Sequence, residues 1–153
     1  MNNLHKLWAL TAVEFGFLLL AIFVLPIVAI LLKMLDFGDA TKLLARLRRK
    51  SKSGTRSSET VAKAAHMVTV AAGHGLYRAL CLEQAISLWW ILGLVGIDST
   101  IRFGVVKSGD TVEAHAWVLY QGELVIGQTQ RLHEYTPMFD VGVNRTPTQR
   151  TFD

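Results

Sequence analysis

The sequence predicts an α+β fold in which helices precede a small antiparallel sheet, and three observations support this. A long uncharged apolar stretch lies near the start, two helical patterns follow it, and alternating patterns then continue to about residue 128. Helices followed by consecutive hairpin strands indicate an α+β domain and not a doubly wound parallel sheet. The 153 residues are enough for one domain with its own core.

The first element is an apolar segment, residues 15–32, which reads "FGFLLLAIFVLPIVAILL" without a charge. Its 18 residues would span about 27 Å as a helix, close to the thickness of a bilayer core. The segment is too long for a signal-peptide core, and no small-residue cleavage site follows it. Two interpretations remain open. The helix spans or lies in a membrane, or it is buried against this chain or a partner. Pro26 predicts a kink in either case.

A basic cluster follows at residues 42–56, where seven positive charges occur and no acid lies between Asp39 and Glu59. It is typical of a solvated helix end running into a linker, but also of a cytoplasmic flank that contacts anionic lipid. The second interpretation places the rest of the chain in the cytoplasm, at the inner face of the membrane. Nucleic-acid binding is not expected, because the cluster has no interleaved aromatic residues and no recognisable module.

The remaining elements follow in order. Residues 50–58 resemble a linker, and helices are predicted over 58–72 and 80–94. Strands are predicted over 99–107, 111–120 and 123–128, with a two-residue turn at Gln121 and Gly122. The pattern is lost after residue 130. The predicted organisation is N-terminal apolar and basic helices at 1–50, a linker at 51–58, a core domain at 59–135 and a C-terminal tail at 136–153.

Cys81 is the only cysteine, so neither an intramolecular disulfide nor a cysteine-based metal motif can form. No cofactor and no metal are expected. The residue lies at the start of the helix predicted over 80–94, where free backbone N–H groups and the helix dipole favour a thiolate. Chemistry is one interpretation of this thiol. Simple packing in an apolar helix is the other.

His115 differs from the other four histidines, which lie in a terminal segment, on a polar helix face or in loops. It occupies the strand "AHAWVLY" and shares a face with Trp117 and Leu119. An imidazole on a packed face needs a partner. A helix-borne cysteine that meets a strand-borne histidine is typical of papain-like and transglutaminase-like nucleophilic sites, although spacing alone does not establish the contact between Cys81 and His115.

Two segments carry a family resemblance, "CLEQAISLWWILGLVGIDSTIRFGVVK" and "EAHAWVLYQGELVIG". Together with the apolar and basic start of the chain, they resemble the transglutaminase-like B proteins of lasso-peptide biosynthesis, leader peptidases related to the microcin J25 maturation protein. The resemblance implies a transglutaminase- or papain-like core, in which Cys81 is the nucleophile and His115 the base. The activity that it implies is removal of the leader from a ribosomally made precursor peptide.

The same resemblance implies partners. They are the precursor peptide as substrate, a separate leader-recognition protein, and an ATP-dependent, asparagine-synthetase-like cyclase that closes the macrolactam. Membrane contact through residues 15–32 is a further expectation from the apolar segment. Two alternatives stay open: a weak or inactive scaffold of the same fold that binds peptides for the maturation complex, and an acyltransferase that uses the same pair of residues.

The third catalytic member departs from the family pattern. The resembled family places an acid twelve residues after its histidine, which is Gly127 here. Counting outward from the turn places Gln128 opposite His115, where its side-chain carbonyl would orient the ring. Glu134 is the alternative acid. Gly127→Asp or Gln128→Asp is expected to restore the charge, although a glycine at 127 is also typical of a bulge with positive φ.

Two groups are candidates for the oxyanion hole. Gln84 lies one helical turn after Cys81, so its amide projects near the thiol, and solvent or packing contacts are the other interpretation. The backbone N–H of Cys81 is the second candidate donor.

Overall fold

The computed structural model describes residues 11–48, 58–74 and 78–142, which form helices followed by a sheet. The α+β prediction is confirmed. The elements are α1 (Ala12–Met34), α2 (Phe37–Arg46), α3 (Ser58–His74), α4 (Cys81–Leu94), β1 (Thr100–Ser108), β2 (Thr111–Tyr120), β3 (Glu123–Ile126) and β4 (Thr136–Val141). Of the predicted linker, residues 51–57 lie outside the described residues, and Ser58 is already the first residue of α3.

The four strands form one antiparallel sheet in the order β3-β2-β1-β4. The turn between β2 and β3 was predicted correctly. Gln121 and Gly122 both have positive φ, 52° and 87°, as a two-residue type I′ hairpin requires. This turn fixes the start of the β2–β3 register, and therefore which residues of β3 come near His115.

The predicted C-terminal tail from residue 136 is wrong for β4, which pairs with β1. The local sequence pattern does not predict a strand here, because β4 is stabilised by contacts with residues distant in sequence. Phe139 stacks on Phe103 with ring centroids 4.6 Å apart, and Asp140 accepts two hydrogen bonds of 2.8 Å from Arg102. Cross-strand pairs of this kind stabilise a strand whose own sequence is only weakly periodic.

Helix α1 belongs to the same core as the rest of the domain. It begins with a capping box between Thr11 and Glu14 and continues through Pro26. One face packs on α3 and α4. The buried residues on that face are Phe17, Leu18, Ala21, Val24, Leu25 and Val28. The predicted separation of residues 1–50 from the core domain is therefore wrong for α1, which shares one continuous hydrophobic cluster with α3, α4 and the sheet.

Arg48, within the basic cluster, is buried and not solvated. Only 2% of its side chain is exposed, its guanidinium carbon lies 4.2 Å from the centre of the Trp89 ring, and Nη2 donates to the carbonyl of Ile97. Gly93 has no side chain that would occupy the same space. Burial lowers the pKa of the Arg48 guanidinium to about 10, and the nearby Asp98 only partly opposes this. This residue thus attaches the end of the α2 segment to α4.

Candidate active site

Cys81 is the first residue of α4, as the sequence predicts, and its thiol is free and half-buried. The preceding residue, Leu80, has no side-chain oxygen to cap the helix. Its own N–H donates to the Glu83 carboxylate at 2.9 Å. Among the described residues, the N–H groups of Cys81 and Leu82 have no side-chain acceptor. Such free donors at a helix N-terminus favour an anion, either a thiolate or a developing oxyanion.

A pocket of about 400 Å³ brings the predicted site residues together. Its lining comprises Thr69, Cys81, Gln84, His115, Val125, Ile126, Gly127 and Gln128. Strand β3 pairs with β2 only at Val118–Tyr120, so the same edge of β2 has no neighbouring strand at His115. The pocket lies beside this unpaired edge. Helix α4 and strand β2 therefore contribute one candidate group each to a common space.

His115 shares a face of β2 with Trp117, as predicted, while the alternating residues Ala116 and Val118 belong to the core cluster. The imidazole stacks beside Trp117 with centroids 5.9 Å apart, and it lies 5.4 Å from the ring of Tyr135. Two aromatic rings therefore restrict the histidine, and His115 is one of the residues that line the pocket.

The ring of His115 has a main-chain partner. Its Nε2 lies 2.7 Å from the carbonyl oxygen of Gly127. A carbonyl can only accept, so Nε2 carries the proton and Nδ1 is left as the basic nitrogen. This is the tautomer that a nucleophile's base needs, with one nitrogen held by an acceptor and the other able to take a proton.

A bulge in β3 changes the predicted register. Leu119 pairs with Leu124, but Val118 pairs with Ile126, so one extra residue is inserted in β3. Counting outward without this insertion placed Gln128 opposite His115, and that prediction is wrong by one residue. Gln128 is exposed and lines the pocket, and no hydrogen bond joins it to His115 in the described part of the chain. Its proposed orienting role therefore has no contact to support it.

Gly127 cannot carry the acid that the resembled family has there. Its φ is +92°, as expected for a bulge glycine, and a Cβ added to it would lie 2.6 Å from the Cβ of Trp117 and 2.8 Å from the carbonyl oxygen of Ala116. We therefore no longer expect Gly127→Asp to restore the site. The position supplies its carbonyl oxygen to His115, and the close fit that brings this oxygen there leaves no room for a side chain.

Gln84 and Glu134 have other partners in the structure. The amide nitrogen of Gln84 donates to the carbonyl of Ala79 at 2.9 Å, which holds the side chain beside the start of α4 and at the pocket wall. The carboxylate of Glu134 accepts from Arg131 at 2.8 Å, and this hydrogen bond holds the pKa of Glu134 below its usual value. An oxyanion role for Gln84 stays a prediction, whereas the Glu134 carboxylate is bonded to Arg131 and, among the described residues, forms no hydrogen bond with His115.

Sequence reasoning missed two groups near the imidazole. The carbonyl of Gly127 carries no residue-type signal, although a glycine late in a strand pattern is a sign of a bulge. Tyr135 lies in the connection to β4, which was assigned no structure. In the part of the chain that the structure describes, no group of three or more histidine, cysteine or acidic side chains is placed to hold a metal ion.

Comparison with known proteins gives one finding. The family model described as "Transglutaminase-like superfamily" matches residues 24–140, a range that begins inside α1, ends in β4 and includes both Cys81 and His115. Neither the curated proteins nor the solved structures contain a match.

Proposed function

Because the chain belongs to the transglutaminase-like superfamily, we propose that it is a cysteine peptidase in which Cys81 is the nucleophile and His115 its base. The observation that carries this proposal is the shared pocket, whose lining includes both residues. The thiol extends from a helix N-terminus with free N–H donors. The imidazole is held in the tautomer that leaves Nδ1 basic.

The first half of the reaction forms an acyl-enzyme. Nδ1 of His115 takes the thiol proton, and the thiolate of Cys81 attacks the carbonyl carbon of the scissile peptide bond. The oxyanion that develops on the carbonyl accepts a hydrogen bond from the N–H of Cys81, with the amide of Gln84 as the proposed second donor. The C–N bond then breaks, and the imidazolium returns its proton to the leaving amine.

The second half regenerates the enzyme. His115 takes a proton from a water molecule, the resulting hydroxide attacks the thioester, and the thiolate leaves and is reprotonated. During both steps Nε2–H stays on the carbonyl of Gly127. A carbonyl dipole orients the ring as an acid would, but it stabilises the imidazolium less than a full negative charge does. We therefore expect a slow enzyme.

The substrate we propose is the precursor of a lasso peptide, whose leader the enzyme removes in the cytoplasm. The support is the resemblance of the segments around Cys81 and His115 to the leader peptidases of that pathway. It also supports the partners of the proposal, a separate leader-recognition protein and an ATP-dependent macrolactam cyclase. An acyltransferase would share every step up to the thioester and then use an amine in place of water.

One observation favours a second candidate, a peptide-binding scaffold of low activity. The group that orients His115 is uncharged, and the acid of the resembled family is absent. The scaffold would use the same pocket to hold a peptide without cleaving it.

The test is mass spectrometry of the candidate precursor incubated with this protein, with and without the leader-binding partner. The peptidase proposal expects a leader fragment and a core fragment whose masses sum to the precursor plus one water. Cys81→Ala is the control. Transfer of the acyl fragment to an added amine indicates the acyltransferase, and binding without any cleavage indicates the scaffold.

A further inference from the structure

The outward face of α1 is a continuous apolar stripe that the described residues, 11–48, 58–74 and 78–142, leave exposed. Residues three and four apart lie on one side of a helix, and the exposed positions follow that spacing. The stripe consists of Phe15, Leu19, Ile22, Phe23, Ile27, Ile30 and Met34, each more than one-third exposed. It runs directly opposite the face that packs on α3 and α4. At about 1.5 Å per residue it is about 29 Å long.

We propose that this stripe lies on an anionic membrane surface, with α1 parallel to the plane of the bilayer. The helix is long and apolar enough to cross a membrane by length and composition. Its buried face, however, is part of the domain's only hydrophobic cluster among the described residues. A spanning helix would have to leave that cluster and expose the facing apolar surfaces of α3 and α4. A helix in the interface keeps its core contacts and still buries the stripe.

The chemistry of the stripe favours lipid over a protein partner. Between residues 15 and 32 the chain has no polar side chain at all. Protein interfaces surround their apolar centre with hydrogen-bonding groups, whereas acyl chains require none. An apolar stripe this long without polar side chains is suited to the acyl region just below the headgroups.

The charges at the end of α1 fit an anionic surface. Lys33 lies next to the edge of the stripe, one residue before Met34, and is exposed. Helix α2 then carries exposed Lys42 and Arg46, and Lys42 forms an ion pair with Asp39 at 3.2 Å. Four more basic residues follow in the sequence, at 49, 50, 52 and 56. Basic residues beside an interfacial helix attract anionic headgroups.

The first experiment is co-sedimentation of the full chain with vesicles, either pure phosphatidylcholine or phosphatidylcholine with phosphatidylglycerol. We expect binding to both, stronger on the anionic vesicles. The double variant Phe23→Asp/Ile30→Asp should lower partitioning at least about tenfold while the circular dichroism spectrum is kept. Val112→Asp is the matched control, since Val112 is a 67% exposed apolar residue on the sheet.

The second experiment distinguishes a helix in the plane from a spanning one. Single cysteines replace Phe15, Phe23 or Met34 in a Cys81→Ser background and carry an environment-sensitive fluorophore. A helix in the plane gives similar quenching depths at all three positions, whereas a spanning helix gives a deep centre and shallow ends. The spanning pattern overturns the proposal. The proposal is also overturned if the wild-type chain binds neither kind of vesicle. A concentration-dependent dimer that Phe23→Asp/Ile30→Asp abolishes would instead show that a second copy of the chain covers the stripe.

Discussion

The pocket at the end of β3 and the outer face of α1 differ in how closely the chain packs against itself. A Cβ on Gly127, at the pocket, would lie 2.6 Å from the Cβ of Trp117, and a Cβ on nearby Gly104 would lie equally close to the indole ring of that residue. On α1, a Cβ added to Gly16 would meet nothing within 4 Å outside its own helix, and Phe23 is 67% exposed. One region is fixed by its own backbone, while the outer side of the other is left exposed by the part of the chain that the structure describes.

This difference separates two kinds of function. A group that must transfer a proton needs a fixed position, and the crowded backbone around His115 provides it. A surface that contacts a fluid bilayer needs no fixed partner atoms, only apolar area. Substitutions in the first region should therefore change chemistry, and those on the outer face of α1 should change where the protein resides.

The largest effect is expected from Cys81→Ala. The nucleophile has no replacement in the pocket, so precursor cleavage should fall by about 10⁴-fold or more. The fold should be kept, because the substitution removes one half-buried sulfur atom. Cleavage measured by mass spectrometry and thermal unfolding together check this. Wild-type cleavage by the variant would contradict the peptidase proposal.

His115→Ala should lower the cleavage rate by about 10²–10⁴-fold, the usual contribution of a general base. It should also slow alkylation of Cys81 by iodoacetamide at pH 7, since the thiolate is the reactive species. His66→Ala is the matched control, because His66 is exposed on α3 and outside the pocket. Equal alkylation rates in the wild type and His115→Ala would show that the two side chains do not interact.

The two faces of α1 give a stability comparison between adjacent residues. Val28 is fully buried, and its replacement by Asp places an unpaired carboxyl group in the core, which should destabilise the domain by about 3 kcal/mol or more. Ile27 is 44% exposed, so Ile27→Asp should change stability by less than about 0.5 kcal/mol. Urea unfolding monitored by tryptophan fluorescence provides both values. Similar costs at the two positions would mean that α1 does not pack as described.

Gly127→Ala tests whether the close packing at the pocket is needed for catalysis. The added methyl group would push the backbone away from Trp117 and move the carbonyl off His115, so we expect a fall in kcat of about 10- to 10²-fold. Gly122→Ala is the matched control, because Gly122 has a similar positive φ of 87° but a Cβ added there would meet nothing within 4 Å. Both variants should be less stable because of backbone strain, but only Gly127→Ala should also have a lower kcat.

The smallest effects are expected from Gln128→Ala and Glu134→Gln. Gln128 is exposed and is not bonded to His115, and Glu134 is engaged by Arg131. Cleavage rates should stay within about twofold of the wild type, in the range of ordinary surface substitutions. A loss of tenfold or more in Gln128→Ala would restore that side chain as the orienting group and remove the role from Gly127.

The sequence predicted the elements whose signals are local. The helices, the β2–β3 turn and the position of Cys81 at a helix start all follow from periodicity and from turn residues. The position of β4 could not be predicted, because its pairing with β1 depends on contacts such as Phe139 with Phe103 across a long separation. The bulge was missed for a related reason, since one inserted residue moved Gln128 away from its expected place.

The contact between His115 and the carbonyl of Gly127 has a consequence for how such sites are recognised and how they vary. Every residue type has a main-chain carbonyl, so a sequence motif defined by side chains cannot identify this hydrogen-bond acceptor. A search that requires an acid after the histidine would discard the chain. Nor can a single codon change delete the oxygen, as it could delete a carboxylate. A substitution can only displace this oxygen. Most substitutions at position 127 would also introduce a side chain that the crowded site cannot accommodate, so few such variants would fold normally.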